Sequence, residues 1–152
     1  MKRVYAIEER CLNCRLCEVA CKTAHSKTKD IYKAWRWEDP EPQTRVHVDG
    51  DRFDSLAVQC RHCDEPDCVD ACITGALSKD PETGVVSVDE DRCIGCMTCM
   101  ATCPYGIPRV MQGVSLKCDL CTDGGAHEAE PACVEACPNK ALVFVESVVE
   151  KQ

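Results

Sequence analysis

The clearest alternation of apolar and polar positions opens the chain, where Val4-Tyr5-Ala6-Ile7 reads as a short strand running into charges. A second apolar segment, Ala141-Leu142-Val143-Phe144-Val145, lies far along the chain, and the two are predicted to pair. Between them, Phe53 to Gln59 leads into a central region. There Ala76-Leu77 and Val85-Val86-Ser87-Val88 flank an Asp-Pro-Glu-Thr-Gly turn, which predicts a hairpin. The Ala-Leu pair at 76–77 recurs at 141–142 and marks an internal repeat. Residues 22–52 form a polar linker with Pro40 and Pro42. Its Ala34-Trp35-Arg36-Trp37-Glu38 stretch serves either as a docking surface or as a cover for a nearby site. Residues 122–130, with Gly124, Gly125 and His127, read as a surface excursion.

Composition shows that such segments cannot stabilise the chain alone. Aromatic residues make up 5% of 152, so the apolar core is thin. Sixteen residues are Cys, enough for cysteine chemistry to dictate the fold. Residues 1–10 carry no apolar leader, and no run approaches the roughly 18 apolar residues that span a membrane. A cytoplasmic protein is expected, with reduced thiols that bind metal rather than form disulfides.

The cysteines fall into four sets of four. Cys11, Cys14, Cys17 and Cys21 are spaced C-x2-C-x2-C-x3-C, as are Cys93, Cys96, Cys99 and Cys103. Cys60, Cys63, Cys68 and Cys72 are spaced C-x2-C-x4-C-x3-C, and Cys118, Cys121, Cys133 and Cys137 are spaced C-x2-C-x11-C-x3-C. Thiolates two residues apart curl a loop around one cubane of iron and sulfide. The last Cys follows the third by four positions, one helical turn further on the same side, so it can reach toward a neighbouring cubane. Pro104 and Pro138 follow the fourth Cys and end those helices, whereas Cys21 and Cys72 lack that Pro and are expected to exit differently.

Structural zinc uses two separated pairs of ligands, which only the last set resembles. A thioredoxin-type site needs one isolated C-x-x-C, whereas every motif here sits in a set of four. With sixteen thiols filling sixteen positions, His25, His47, His62 and His127 are not needed as ligands, and a solvent-facing ring is expected for His62. The formal net charge of −8 becomes about −16 once four oxidised clusters are added. That excludes nucleic-acid binding, which needs a basic face. No nucleophile–base pair and no nucleotide-binding glycine loop is present.

The order of the sets, the x4 and x11 spacings, the stretch Gln59-Cys-Arg-His-Cys-Asp-Glu-Pro-Asp-Cys-Val, and Lys117-Cys-Asp-Leu-Cys with Pro131-Ala-Cys-Val-Glu-Ala-Cys-Pro resemble the iron–sulfur subunits of DMSO-reductase-type and hydrogenase-4-type enzymes. The resemblance covers residues 1–146 and is weakest in the linker. It is nearest to small soluble members associated with carbon monoxide dehydrogenases, formate dehydrogenases and tungsten aldehyde oxidoreductases.

The fold expected is α+β. Two bacterial-ferredoxin-like 2[4Fe–4S] modules, one inserted into the other, carry small two-stranded sheets and short helices around the clusters. Residues 1–52 plus 109–152 form the outer module and 53–108 the inserted one. The resemblance implies four [4Fe–4S] clusters, held by Cys11, Cys14, Cys17 and Cys137; by Cys21, Cys118, Cys121 and Cys133; by Cys60, Cys63, Cys68 and Cys103; and by Cys72, Cys93, Cys96 and Cys99. Some relatives replace a thiol of the third set and carry a [3Fe–4S] centre, but here Cys96 is present. The chain ends at Gln152 without the long extension of membrane-linked relatives, so a complex without a direct membrane span is expected.

The function expected is single-electron transfer, not catalysis. The partners expected are a catalytic oxidoreductase subunit and a second redox protein, either a flavin NAD(P)H oxidoreductase or a ferredoxin. The alternatives are a free-standing polyferredoxin and a substrate-binding iron–sulfur enzyme. The latter normally leaves one iron without a Cys ligand, which four complete sets oppose. Cys99→Ser is expected to lower the iron content by one cluster and to weaken folding, because metal binding and folding are coupled. Iron analysis together with the unfolding midpoint checks this.

Overall fold

The computed structural model describes residues 2–51, 54–122 and 130–146. Phe53, at the start of the expected lead-in segment, and residues 123–129 of the expected surface loop, with Gly124, Gly125 and His127, lie outside the described residues. The elements in order are β1 (Lys2–Ala6), α1 (Leu16–Ala24), α2 (Ile31–Trp37), β2 (Val46–Gly50), β3 (Ser55–Gln59), α3 (Asp67–Asp70), β4 (Leu77–Lys79), β5 (Val86–Val88), α4 (Thr98–Thr102), β6 (Arg109–Met111), β7 (Val114–Leu116), α5 (Ala132–Glu135) and β8 (Leu142–Glu146). The strands form antiparallel pairs: β1 with β8, β2 with β3, β4 with β5, and β6 with β7. Among the described residues no helix is long and apolar enough to cross a membrane.

Contacts group the chain into two units, one drawn from Met1–Gln59 and Leu120–Gln152 and the other from Cys60–Asp119. These limits differ from the expected 53–108. The segment before Cys60 forms β3, which pairs with β2 in the first unit, and residues 109–116 fold as the β6–β7 hairpin of the second.

In the first unit the two predicted apolar segments pair as β1 and β8, with Val4 opposite Phe144 and Ala6 opposite Leu142. Val4 and Leu142 are buried with Val46, Val48 and Ala57, and Cys17, Cys21 and Cys133 complete the same core. In β2, Val46 and Val48 face inward while Asp49 faces out, the period-two pattern of a half-covered strand. Gln59 ties β3 to β1 by donating from Nε2 to the Val4 carbonyl at 2.9 Å.

The linker expected over 22–52 is not structureless. Asp30 caps α2 by accepting from the Lys33 N–H at 2.9 Å, which satisfies an orphan donor of the first turn. Glu38 just past the helix accepts from the Lys27 and Thr28 N–H groups and from the Thr28 hydroxyl, and so fastens the incoming loop. Trp35 and Trp37 are 78% and 65% exposed, which rules out the reading that they cover a cluster from water.

In the second unit the predicted hairpin is present as β4–β5, with Leu77 opposite Val88. Asp80 shapes its turn by accepting from the Glu82 and Thr83 N–H groups. Leu77, Val86 and Cys99 are buried together, with Cys68, Cys72 and Val88 packed against them. Both cores are therefore part hydrocarbon and part thiol.

Gly50 closes β2 at φ +101°, a conformation L side chains avoid. A Cβ there would lie 2.0 Å from the Asp54 carbonyl oxygen. Gly50→Ala should cost about 1–3 kcal/mol through strain at this turn, read as a lowered unfolding midpoint of the cluster-loaded protein.

Candidate metal centres

The four Cys sets are built on one local plan. The residue before the second Cys has positive φ in every set: Asn13 at 52°, His62 at 45°, Gly95 at 64° and Leu120 at 59°. A left-handed residue reverses the chain so that flanking thiols and N–H groups turn toward one centre, the geometry of an anion-binding concavity. The third Cys is then the second residue of a helix in every set: Cys17 in α1, Cys68 in α3, Cys99 in α4 and Cys133 in α5. Two devices start these helices. Arg15 and Met97, at φ 57° and 64°, enter α1 and α4 from the left-handed region. Pro66 and Pro131 enter α3 and α5.

The exits match the sequence expectation for three sets and correct it for one. α4 and α5 stop before Cys103-Pro104 and Cys137-Pro138, as the prolines require. α1 runs on through Cys21 to Ala24, as the absence of Pro allows. α3 nevertheless ends at Asp70, before Cys72, and Gly75 at φ 61° turns the chain into β4.

Thiols from distant parts of the sequence meet. Cys11, Cys14, Cys17 and Cys137 line one small cavity, with Leu142 and Val48 behind them. Cys72, Cys93, Cys96 and Cys99 line a second. Cys68 lies within electrostatic reach of Cys60, Cys63 and Cys103. Cys21 and Cys133 share the core of the first unit, Cys121 is half-buried in that unit, and Cys118 is buried in the second.

Backbone donors are trained on sulfur. The N–H groups of Arg45, Ser115 and Ala141 reach Cys21, Cys93 and Cys137 at 3.2, 3.3 and 3.2 Å. The hydroxyls of Thr98 and Ser115 lie 3.3 Å from Cys96 and 3.4 Å from Cys99. The Ala-Leu repeat has a physical counterpart, since the Ala four residues after the fourth Cys gives its N–H to sulfur at both Cys137 and Cys72.

The resulting electrostatics sort the thiols. Burial pushes Cys17 up to about 12, and the charges of Glu18, Cys14 and Cys137 add to it against the Glu18 N–H. Burial likewise raises Cys68 to about 11, with Cys60 adding to the rise and Lys117 opposing it. At Cys72 burial is outweighed by the N–H groups of Leu77, Thr74 and Ala76 and the Thr74 hydroxyl, which hold the thiol below its ordinary value. Cys96 is lowered chiefly by the hydroxyl and N–H of Thr98. At Cys21 burial is again outweighed, here by His25, the Arg45 N–H and Thr44. Neighbouring buried thiols can all ionise only against compensating positive charge, and a multinuclear metal centre supplies it. Thiol-only donor sets, lined cavities and N–H groups aimed at sulfur fit [4Fe–4S] clusters.

Two residues near the thiols escaped the sequence reading. His62, expected to face solvent, is 0% exposed, and its Nδ1 accepts from the Val86 N–H at 3.0 Å. Its place inside the C-x2-C loop, where the chain turns inward, was the available signal. Lys117 is buried, with its Nζ donating to the carbonyls of Val86 and of Cys118. Its ammonium is the cation that opposes the rise at Cys68.

Sets of converging thiolates with donors on their sulfurs define an iron–sulfur electron-transfer protein. Comparison with known proteins gives the same class. A model described as a 4Fe-4S dicluster domain matches residues 52–147, and one described as a 4Fe-4S binding domain matches residues 8–24. An iron-sulfur protein of Rhodospirillum rubrum is 38% identical over 94% of this chain and 81% of its own length. A polypeptide of the anaerobic dimethyl sulfoxide reductase of Escherichia coli is 38% identical over 89% of this chain and 68% of its own length. The electron transport protein HydN of Escherichia coli is 36% identical over 94% of this chain and 87% of its own. The chain belongs to the 4Fe–4S dicluster-domain family, among the iron–sulfur proteins of the DMSO-reductase and hydrogenase type.

His62→Phe would leave the Val86 N–H buried without its acceptor and should cost about 1–3 kcal/mol. Denaturant unfolding of the cluster-loaded protein measures it.

Proposed function

We propose that this chain relays single electrons through four [4Fe–4S] clusters between a catalytic oxidoreductase subunit and a second redox protein. The catalytic partner would be of the carbon monoxide dehydrogenase, formate dehydrogenase or aldehyde oxidoreductase type, and the second partner a flavin NAD(P)H oxidoreductase or a ferredoxin. One observation carries this reading: the same loop-and-helix plan occurs four times, with four thiols each time and none left over. The names of the relatives, a dimethyl sulfoxide reductase polypeptide and an electron transport protein, support it.

The proposed ligand sets are Cys11, Cys14, Cys17 and Cys137; Cys21, Cys118, Cys121 and Cys133; Cys60, Cys63, Cys68 and Cys103; and Cys72, Cys93, Cys96 and Cys99. They would form two two-cluster modules, one inserted into the other. A [4Fe–4S] cluster with four thiolates changes charge by one electron without exchanging a ligand. The protein's part is to hold the thiolates, to set the potential through N–H···S bonds, and to limit water around them. The Arg45, Ser115 and Ala141 amides would favour the electron-rich state, because donors to sulfur stabilise negative charge.

The anaerobically purified protein should hold roughly 16 iron and 16 sulfide per chain and take up about 4 electrons in a reductive titration. Zinc in place of iron in any set would overturn the reading. Isolation of the native chain alone, with full clusters and no bound subunit, would replace a fixed relay by a free polyferredoxin.

A further inference from the structure

Helix α2 and the loop before it form a surface unlike the rest of this acidic chain. Residues 22–37 carry Lys22, Lys27, Lys29, Lys33 and Arg36 against Asp30, with Lys22 paired to Glu41 at 2.7 Å and the carboxylates Glu38 and Asp39 bounding the patch beyond α2. Lys27, Lys29, Lys33 and Arg36 are exposed. On the same helix Ile31, Tyr32, Trp35 and Trp37 are all more than half exposed, while Ala34 turns inward. The Tyr32 and Trp37 rings meet edge to face at 5.6 Å, so this apolar surface is partly preorganised.

Beside α2 lies an open groove of about 380 Å³, lined by Leu16, Val19, Ala20, Thr23, Ile31 and Ala136, with Lys29 at its edge. Its walls are the thiol-bearing helices seen from outside. Leu16 precedes Cys17, Ala20 precedes Cys21, and Ala136 lies just before Cys137. Whatever fills the groove therefore sits one backbone away from three proposed cluster ligands.

We propose that this groove and the α2 face dock a one-electron redox protein whose contact surface is acidic around an apolar knob. The inference rests on the electron-relay reading and adds to it the docking face and the sign of the partner's charge. Charge complementarity selects the occupant. The chain's net charge repels an acidic protein in general, so a local basic patch attracts it and also fixes its orientation. The exposed Trp, Tyr and Arg side chains supply the anchor chemistry of an interface. Electron transfer then needs no passage of a small molecule, only approach of the partner's centre to α1, the helix that carries Cys17 and Cys21.

The probe is a plant-type [2Fe–2S] ferredoxin, an acidic one-electron protein, added to the cluster-loaded chain at low salt, where charge steering is strongest. Binding should be measurable and should fall steeply with added salt. The triple variant K29E/K33E/R36E should weaken it by about tenfold or more, and W35A/W37A should weaken it at every salt concentration. R109E, on the exposed β6 of the other unit, should bind as the unaltered protein does.

Iron content and reduction by dithionite are measured on every variant. Loss of either in the unaltered chain is a failure of the electron-relay reading. Full iron and normal dithionite reduction without ferredoxin binding, or with binding untouched by the triple variant, overturns the docking face alone. Self-association abolished by W35A/W37A, or capture of the chain by phosphatidylglycerol vesicles in preference to ferredoxin, also overturns it, in favour of a second copy or a lipid surface.

Discussion

The fold depends on offsetting the cost of ionising buried, crowded thiols. Cys17 beside Cys14 and Cys137, and Cys68 beside Cys60, Cys63 and Cys103, resist ionisation chiefly because burial opposes it, and the neighbouring thiols add to that. A polypeptide gains nothing by collecting such groups unless cations join them. The hydrocarbon available is too little to override the problem, since the core of the second unit is Leu77 and Val86 around a cysteine. Metal binding and folding are then one event, and the small two-stranded sheets serve as clasps that hold the thiol-bearing loops in place.

Much of this was legible in the sequence because spacing carries geometry. A three-residue gap between the third and fourth Cys predicted one helical turn, and helices start one residue before Cys17, Cys68, Cys99 and Cys133. The pairing of Val4-Tyr5-Ala6 with Leu142-Val143-Phe144 could be read from two isolated apolar runs. Other features had weak or no signatures. Gly95 and Asn13 are natural occupants of the left-handed region, but Leu120 adopts it only because the surrounding loop demands it. The burial of His62 and Lys117 defied the usual expectation for polar residues, because His62 Nδ1 accepts from the Val86 N–H and Lys117 Nζ donates to the Val86 carbonyl, both far off in sequence. The order in residues 31–37 and 46–50 was hidden because prolines and charges dominate that segment, while its cap and its buried Val46 and Val48 are single residues.

The four sets share a plan but differ in their surroundings. Cys21 lies within a continuing helix and draws on His25 and the Arg45 amide, whereas Cys72 and Cys137 lie just past short helices and draw on the amides that open β4 and β8. Cys93 and Cys99 both lean on Ser115, through its amide and its hydroxyl. Donor number and kind are among the factors that set cluster potentials, so a single repeated motif yields centres that need not be equivalent.

The pairing of β1 with β8 also orders events in time. Ala6 meets Leu142, 136 residues further along. During synthesis the central unit, whose hairpins join near neighbours, can close while β8 is still unmade. Until β8 emerges, Cys11, Cys14 and Cys17 wait without Cys137. Those three thiols are thus made early and enclosed late.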